Sequence, residues 1–324
     1  MNLPRYGLGC MSLSHAYGVA PPPEEGLRLL QTALDEGVRF LDTATLYGGG
    51  RNEELVGAAI AGRRDEVVLA SKGGMAMVDG VRVIDGRPET LRHQVDASLR
   101  RLGVDHIDLY YLHRWDKSVP IAESVAALAE AVDAGKIGAI GLSEVSVARL
   151  REAQQVAPIA AVQNEYSLWT RNAELGMLEA TKADGVALVA FSPVARGFLA
   201  DAVRNPDDLV AKDIRRAMPR FQPPHWEANA ALLPAWRDLA AEAGVSPAQL
   251  ALAWVSSRGG NVVPIPGTTN LDHLREIIAV ADLVIAPDIL ERAGQLIDTP
   301  SVSGPRYSSQ NTAEVDAETF EDAA

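Results

Sequence analysis

RFLDTATLYG (39–48), VVLASKGG (67–74) and IDLYYLHRW (107–115) decide the fold. Each is a short apolar run that closes on a polar residue with chemistry in it: Asp42 with Tyr47 five residues further on, Lys72, and His113. Extended outward, these runs read as strands over 38–43, 66–72 and 106–113. Five further runs share their character: YGLGCMSL (6–13), IGAIGLS (137–143), AAVQNEY (160–166), ALVAFSP (187–193) and NVVPIPG (261–267). Nearly continuous apolar strands are what a parallel sheet covered on both faces requires.

Helical patterns separate them. Ile121, Val125, Leu128 and Val132 fall on one helix face, and so do Leu91, Val95, Leu99 and Leu102, between Pro88 and Gly103. Further helices are expected over 24–36, 52–61, 146–156, 171–183, 247–258 and 271–279. Alternating β-α units in an unbroken row predict an α/β fold, a (β/α)8 TIM barrel forming a single domain over 1–299. A doubly wound sheet is the alternative, but Gly7-Leu8-Gly9-Cys10-Met11-Ser12 gives only part of a dinucleotide fingerprint. The barrel is expected to carry two extra helices, one of them over 227–243, and long loops on its C-terminal face. The loop 194–226 is long enough to act as a lid. The segment 300–324 is polar and acidic without periodicity, and is expected to be partly disordered.

Composition narrows the function. The 324 residues are 47% hydrophobic and 23% charged, enough for a core of barrel size, and the formal net charge of −13 speaks against nucleic acid as a partner. The paired arginines (63–64, 100–101, 215–216) are scattered and suit solvated helix ends. No apolar run reaches the roughly 18 residues that span a bilayer, so no membrane partner is expected. The N-terminal residues show no secretory pattern, and a lone cysteine, Cys10, suits a reducing compartment; a cytoplasmic protein is expected. Cys10 itself reads as a small core residue. The six histidines show no metal-ligand spacing, so no metal site is expected.

In a barrel, function sits at the C-terminal ends of the strands. Phe40 with Asp42, Ala70 with Lys72, and Tyr111 with His113 share a strand face by parity. If that face points inward, the polar member of each pair stands last before the loop. A phenol ordinarily titrates near 10, too high for an efficient acid at neutrality. A neighbouring ammonium favours the phenolate, so Lys72 is expected to lower Tyr47, with Asp42 as the counter-ion of Lys72. Such a set can donate a proton to a carbonyl oxygen, which His113 can also hydrogen-bond and orient. Any one of these residues alone could equally be a helix cap, a surface lysine or a packing aromatic; their joint placement is what points to chemistry.

The ordered set GLGCMSLSHAYG, GVRFLDTATLYG, NEELVG, VVLASKGG, SLRRLGVDHIDLYYLHR, AGKIGAIGLSE, AAVQNEYSLW, AFSPVARGFL and PAQLALAW…VVPIPGTTNLDHL resembles the aldo-keto reductase superfamily over about residues 6–300. Within it, EYSLW and ARGFL resemble the bacterial, yeast and plant branch of aldehyde and ketone reductases, near the pyridoxal reductases and auxin-induced-like proteins. The resemblance implies NADPH-dependent reduction of a small carbonyl substrate, with NADH possible, by a monomer or homo-oligomer. It implies Tyr47 as general acid, Lys72 tuning it, Asp42 paired with Lys72, and His113 orienting the carbonyl. It places Ser143, Glu144 and Gln163 at the nicotinamide carboxamide and Phe191 against the nicotinamide ring. Ser192, Pro193, Val194, Arg196, Gly197 and Leu199 fall on the pyrophosphate belt, with Arg196 its cationic contact. Gly267, Thr268, Thr269, His273 and Glu276 fall around the adenosine 2′-phosphate.

Several positions depart from the family. Glu144 stands for the usual asparagine; it can accept a hydrogen bond from the carboxamide but, ionised, cannot donate one. Thr269 replaces the usual Lys or Arg, and His273 stands where many members have Arg, which opens the choice between NADPH and NADH. The substrate pocket is expected to involve Met11, Tyr17, Trp115, Trp169 and Trp226, with the loops 14–24, 74–87, 114–119 and 194–226. Two other functions compete: a non-catalytic nicotinamide-binding regulatory subunit, and a Schiff-base lyase with Lys72 as nucleophile.

Overall fold

The computed structural model describes residues 1–320. Its main sheet has eight parallel strands: β1 (Leu8–Gly9), β2 (Phe40–Asp42), β3 (Val68–Gly73), β6 (Leu109–Leu112), β7 (Ile140–Ser143), β8 (Ile159–Glu165), β9 (Ala187–Phe191) and β10 (Val262–Ile265). The two outer members meet: Gly7 N–H donates to Pro264 O (3.0 Å) and Gly9 N–H to Pro266 O (2.9 Å). The sheet therefore closes on itself, and helices between successive strands cover its outside, as the (β/α)8 expectation requires.

Strand parity divides the core in two. Phe40, Ala70, Leu109, Tyr111, Ala161, Val189, Val263 and Ile265 form a cluster inside the barrel, and Leu3 packs against it from the segment ahead of β1. The opposite strand faces, among them Leu41, Leu69, Tyr110, Leu142 and Leu188, join the larger core beneath the helices. With Phe40, Ala70 and Tyr111 inward, the period-2 alternation also turns Asp42, Lys72 and His113 inward, one step closer to the C-terminal mouth. The register agrees, since Asp42 lies opposite Ala70 and Lys72 opposite Tyr111.

The helices start and stop where the sequence signals them. Pro23, Pro88 and Pro247 each sit in a first turn, where the missing N–H costs nothing, and Ser246 with Gln249 forms a capping box. Gly103 ends the 88–102 helix in the left-handed region at φ 65°. The NEELVG stretch acts as a hub. Asn52 donates to Cys10 O (2.8 Å), while buried Glu53 accepts from Ser71 Oγ (2.5 Å) and pairs with Arg101 (2.5 Å). These contacts tie the loops after β1 and the body of β3 to one helix.

Three elements differ from the sequence expectation. Residues 74–87 are not a bare loop: β4 (Met75–Val78) and β5 (Val81–Ile84) form an antiparallel hairpin about Asp79-Gly80. The helix expected at 227–243 is two pieces, His225–Ala230 and Leu233–Glu242, and a further helix runs over Pro287–Leu296. The segment expected to be partly disordered is placed by specific contacts through residue 320. Arg82 of the hairpin pairs with Glu314 (2.5 Å), Ser146 Oγ donates to Asp316 (2.7 Å), and Val147 N–H donates to Glu318 (2.5 Å). The last four residues of that expectation, 321–324, lie outside the described residues. Cys10 is fully buried, and burial pushes its thiol up to about 12, which fits the packing role read from the sequence. Among the described residues no helix is long and apolar enough to cross a membrane.

Gly141 marks where the barrel interior has no slack. A Cβ there would stand 2.3 Å from the ring of Tyr111. Gly141→Ala is expected to destabilise the fold by about 1–3 kcal/mol, read as a lower urea midpoint; an unchanged midpoint would mean that the Tyr111 ring is free to move aside.

Candidate active site

The strand ends assemble one polar cluster. Lys72 Nζ, fully buried, forms an ion pair with Asp42 and donates to Thr43 O (2.9 Å) and to Tyr47 Oη (3.2 Å). Gln163, at the end of β8, donates to the other Asp42 oxygen (2.8 Å). Tyr47 arrives from a short turn after β2 and meets His113 edge to face, with ring centroids 5.9 Å apart. His15, from the loop after β1, lies against the other side of Tyr47 at 5.5 Å.

The electrostatics follow from burial. Burial opposes a charge on Lys72, but Asp42 and Tyr47 outweigh it, so the ammonium holds its proton more firmly than usual. For Tyr47, burial raises the pKa; Lys72 pulls it down and Asp42 pushes it up again, leaving it above the ordinary phenol value. This corrects the expectation of a net lowering. The Lys72 charge is largely offset by Asp42, and a phenolate would be poorly hydrated here. Because Lys72 donates to the phenol oxygen, the Tyr47 O–H proton is available to a further acceptor. Burial, then Arg114 and Lys72, drives His113 well below the ordinary histidine pKa, so it is neutral near pH 7. His15 is lowered by burial as well.

Asp42, Tyr47 and His113 line one large cavity, of about 1050 Å³, with Lys72 directly behind. Cofactor and ligand clefts generally measure about 300–1,000 Å³, so this one has room for a dinucleotide and a small substrate. Of the residues expected to contact a cofactor, Ser143, Gln163 and Phe191 line it, as do Ser192, Pro193, Val194, Arg196 and Gly197. Gly267, Thr268, Thr269, His273 and Glu276 line it as well. Met11 and Tyr17 line it too. Ser192, Ala195 and Arg196 all adopt left-handed φ (52°, 51° and 57°), and such clustering at a cavity wall is characteristic of ligand-holding segments. Among the described residues, Ser12 Oγ, His15 Nδ1 and His113 Nδ1 are buried without protein partners.

Other expected residues are placed elsewhere. Glu144 is turned into an ion pair with Arg306 and accepts from Glu165 N–H (2.9 Å), so its carboxylate is not offered to the cavity. A buried carboxylate requires a cation, and the C-terminal segment supplies it. Arg196 lines the cavity, but its guanidinium is committed to Glu165 (2.7 Å) and to the hydroxyls of Tyr17 and Tyr307 (3.1 Å each). It is therefore not a free cation for a pyrophosphate. Leu199 is buried, with its carbonyl bound by Trp236 Nε1 (2.9 Å). Arg275 points outward to Glu36 (3.2 Å) and Asp272 (3.4 Å).

The three tryptophans do not line the cavity. Trp169 stacks on Phe198 at 4.3 Å, Trp226 stacks on Phe221 at 5.9 Å, and Trp115 lies beneath Arg149 at 4.5 Å while donating to Val119 O (2.9 Å). The residues that take wall positions instead are His15, Arg82, Arg114 and Tyr307. His15 was legible by the strand-end rule, since it follows β1 in GLGCMSLSHAYG. The only hint of Arg306 and Tyr307 was an Arg-Tyr pair in an otherwise acidic segment. Among the described residues no cluster of His, Cys, Asp or Glu could hold a metal ion.

A closed β/α barrel whose cavity ends on a phenol, an ammonium–carboxylate pair and a neutral imidazole belongs with oxidoreductases that interconvert carbonyls and alcohols. Comparison with known proteins gives the family: the pattern of the Aldo/keto reductase family matches residues 5–298, and the chain belongs to that family. It is 37% identical over 314 residues to the aldo-keto reductase yakc [NADP(+)] of Schizosaccharomyces pombe, covering 94% of this chain and 92% of that one. Among solved structures it is similar to the glycerol dehydrogenase AKR11B4 of Gluconobacter oxydans (TM-score 0.84, 28% identity, 94% and 95% of the two chains). It is also similar to an aldo/keto reductase of Klebsiella pneumoniae in complex with NADP and acetate (TM-score 0.71, 25% identity, 97% and 95%).

The buried carboxylates give a stability prediction. Burial opposes ionisation of Glu165, but Arg196 and Arg306 bring its pKa down to about 2. A depressed carboxylate contributes stability above its ordinary pKa of 4.5 and loses it as the pH falls towards about 2. Arg306→Ala removes a cation from both Glu165 and Glu144. It is expected to cost about 3–5 kcal/mol at neutral pH and to open 300–320 to proteolysis. Unchanged unfolding with an unchanged digestion pattern would contradict the arrangement.

Proposed function

We propose that this protein reduces an aldehyde or ketone to an alcohol with NADPH, using Tyr47 as the general acid. The observation that carries the reading is the Lys72 ammonium, bonded at once to Asp42 and Tyr47 beneath a dinucleotide-sized cavity. The names of the Schizosaccharomyces relative and the Klebsiella complex, both carrying NADP, support the cofactor. The cavity lining supports the reading: Ser143 and Gln163 would hold the carboxamide, Phe191 the ring, and the left-handed turn at 192–197 the phosphates. Thr268, Thr269 and His273, which line the same cavity with Glu276, would take the adenosine end.

When bound, the reduced nicotinamide supplies a hydride to the carbonyl carbon. The protein's own part is the proton and the orientation. Tyr47 keeps its proton at neutral pH, because burial outweighs the pull of Lys72, and donates it to the carbonyl oxygen as negative charge develops there. Lys72 then stabilises the phenolate left behind, and Asp42 keeps Lys72 charged and aimed. His113, neutral, serves as hydrogen-bond donor to the same oxygen rather than as an acid. Water exclusion falls to the long loop after β9 and the C-terminal segment, which contribute Met218 and Tyr307 to the wall.

Tyr47→Phe should lower kcat by about 10²–10⁴-fold while NADPH still quenches tryptophan fluorescence with unchanged affinity. Turnover within a few-fold of wild type would remove Tyr47 from the acid role. His273→Arg should raise the preference for NADPH over NADH by about tenfold, the value of one charge-assisted contact; an unmoved ratio would mean that the 2′-phosphate is held elsewhere.

A further inference from the structure

The charges around the cavity do not all cancel. Lys72 is matched by Asp42, Arg82 by Glu314, Arg196 by Glu165 and Arg215 by Asp213. Arg204, exposed in the loop after β9, and Arg114 have no carboxylate partner among the described residues. The two differ in setting. Arg204 is open to water, whereas Arg114 is half-buried between two site residues, which makes a charge on it far less screened.

Arg114 follows His113 directly at the end of β6. Its Nη1 donates to His113 O (2.7 Å) and to Ser143 Oγ (3.2 Å). Those two bonds fix the plane of the guanidinium against the wall. Among the described residues, Nε and Nη2 have no protein acceptor. A planar fork with free donors is the shape that matches a carboxylate or phosphate in two parallel hydrogen bonds. The Arg114 charge also reaches the reacting end, since it is among the groups acting on both His113 and Tyr47. Arg114 is the next residue to His113 and lines the same cavity, so an anion held there would share a wall with a carbonyl oxygen placed at His113.

We propose that Arg114 determines substrate specificity, and that the preferred substrates are carbonyl compounds bearing a carboxylate or phosphate group a short spacer away from the carbonyl. This rests on the reductase reading above. The competing role for Arg114 is purely positional: by donating to Ser143 Oγ it turns that hydroxyl's proton outward, which would serve every substrate equally.

Matched pairs separate these roles. kcat/KM is measured for para-carboxybenzaldehyde against its methyl ester, and for glyceraldehyde phosphate against glyceraldehyde, in wild type, Arg114→Gln and Arg114→Lys. Wild type should favour the anionic member of at least one pair by about tenfold or more, mainly through KM, and the pair that shows it identifies carboxylate or phosphate. Arg114→Gln should bring that ratio close to one, and Arg114→Lys should keep part of it. Indifference of the wild type to charge overturns the proposal. So does an equal loss on both members in Arg114→Gln, which is the signature of the positional role. Calorimetric binding of the same carboxylate and ester to the NADP⁺-loaded proteins gives the ratio without turnover. Absence of all turnover would strike the reductase reading, and this binding ratio would still decide for or against Arg114.

Discussion

The mouth of the barrel is organised by a charge that cannot be left alone. Lys72 and Asp42 are both buried, and an unpaired ion in such a place would cost several kcal/mol. Each therefore draws in more partners than the other can supply: Thr43 O and Tyr47 Oη for the ammonium, Gln163 for the second carboxylate oxygen. These groups come from β2, β3, β8 and the turn after β2. They can meet only if the sheet is closed and in register, so the same pair that poises the phenol also reports that the barrel is correctly shut.

A second buried network governs the outer rim. Glu144 at the end of β7 and Glu165 at the end of β8 share Arg306, while Arg196 from the loop after β9 completes Glu165 and gathers the Tyr17 and Tyr307 hydroxyls. The C-terminal segment is thereby part of the cavity wall. Polar residues that look available in the sequence, Glu144 and Arg196 among them, are committed to partners within the protein.

The barrel was legible because each strand is a short apolar run with a helix pattern after it, and parity put Asp42, Lys72 and His113 on one face with Phe40, Ala70 and Tyr111, which the structure turns inward. The hairpin at 75–84 was legible too, in MAMVDGVRVI, where Asp79-Gly80 sits between apolar residues in the manner of a tight β-turn. The helix at 287–296 has its own signal in Pro287, Ile289, Ala293 and Leu296. What the chain could not reveal is partner choice at long range. Nothing near Glu144 announces an arginine 162 residues away. Nor does anything near Trp169 or Trp226 show that Phe198 and Phe221 cover their faces. The sign of the Tyr47 shift likewise needed burial, because a neighbouring ammonium lowers a phenol only until desolvation and the Asp42 carboxylate outweigh it.

The account's central claim is that Lys72 and Tyr47 act as one unit. The direct measurement is a double-mutant cycle on the single-turnover rate of aldehyde reduction, using Tyr47→Phe, Lys72→Met and the two combined. Groups that act through each other are strongly non-additive, so the double variant should be no slower than the slower single variant within a few-fold. Losses that multiply would show two independent contributions, and would contradict a proton delivered by Tyr47 whose resulting phenolate Lys72 stabilises.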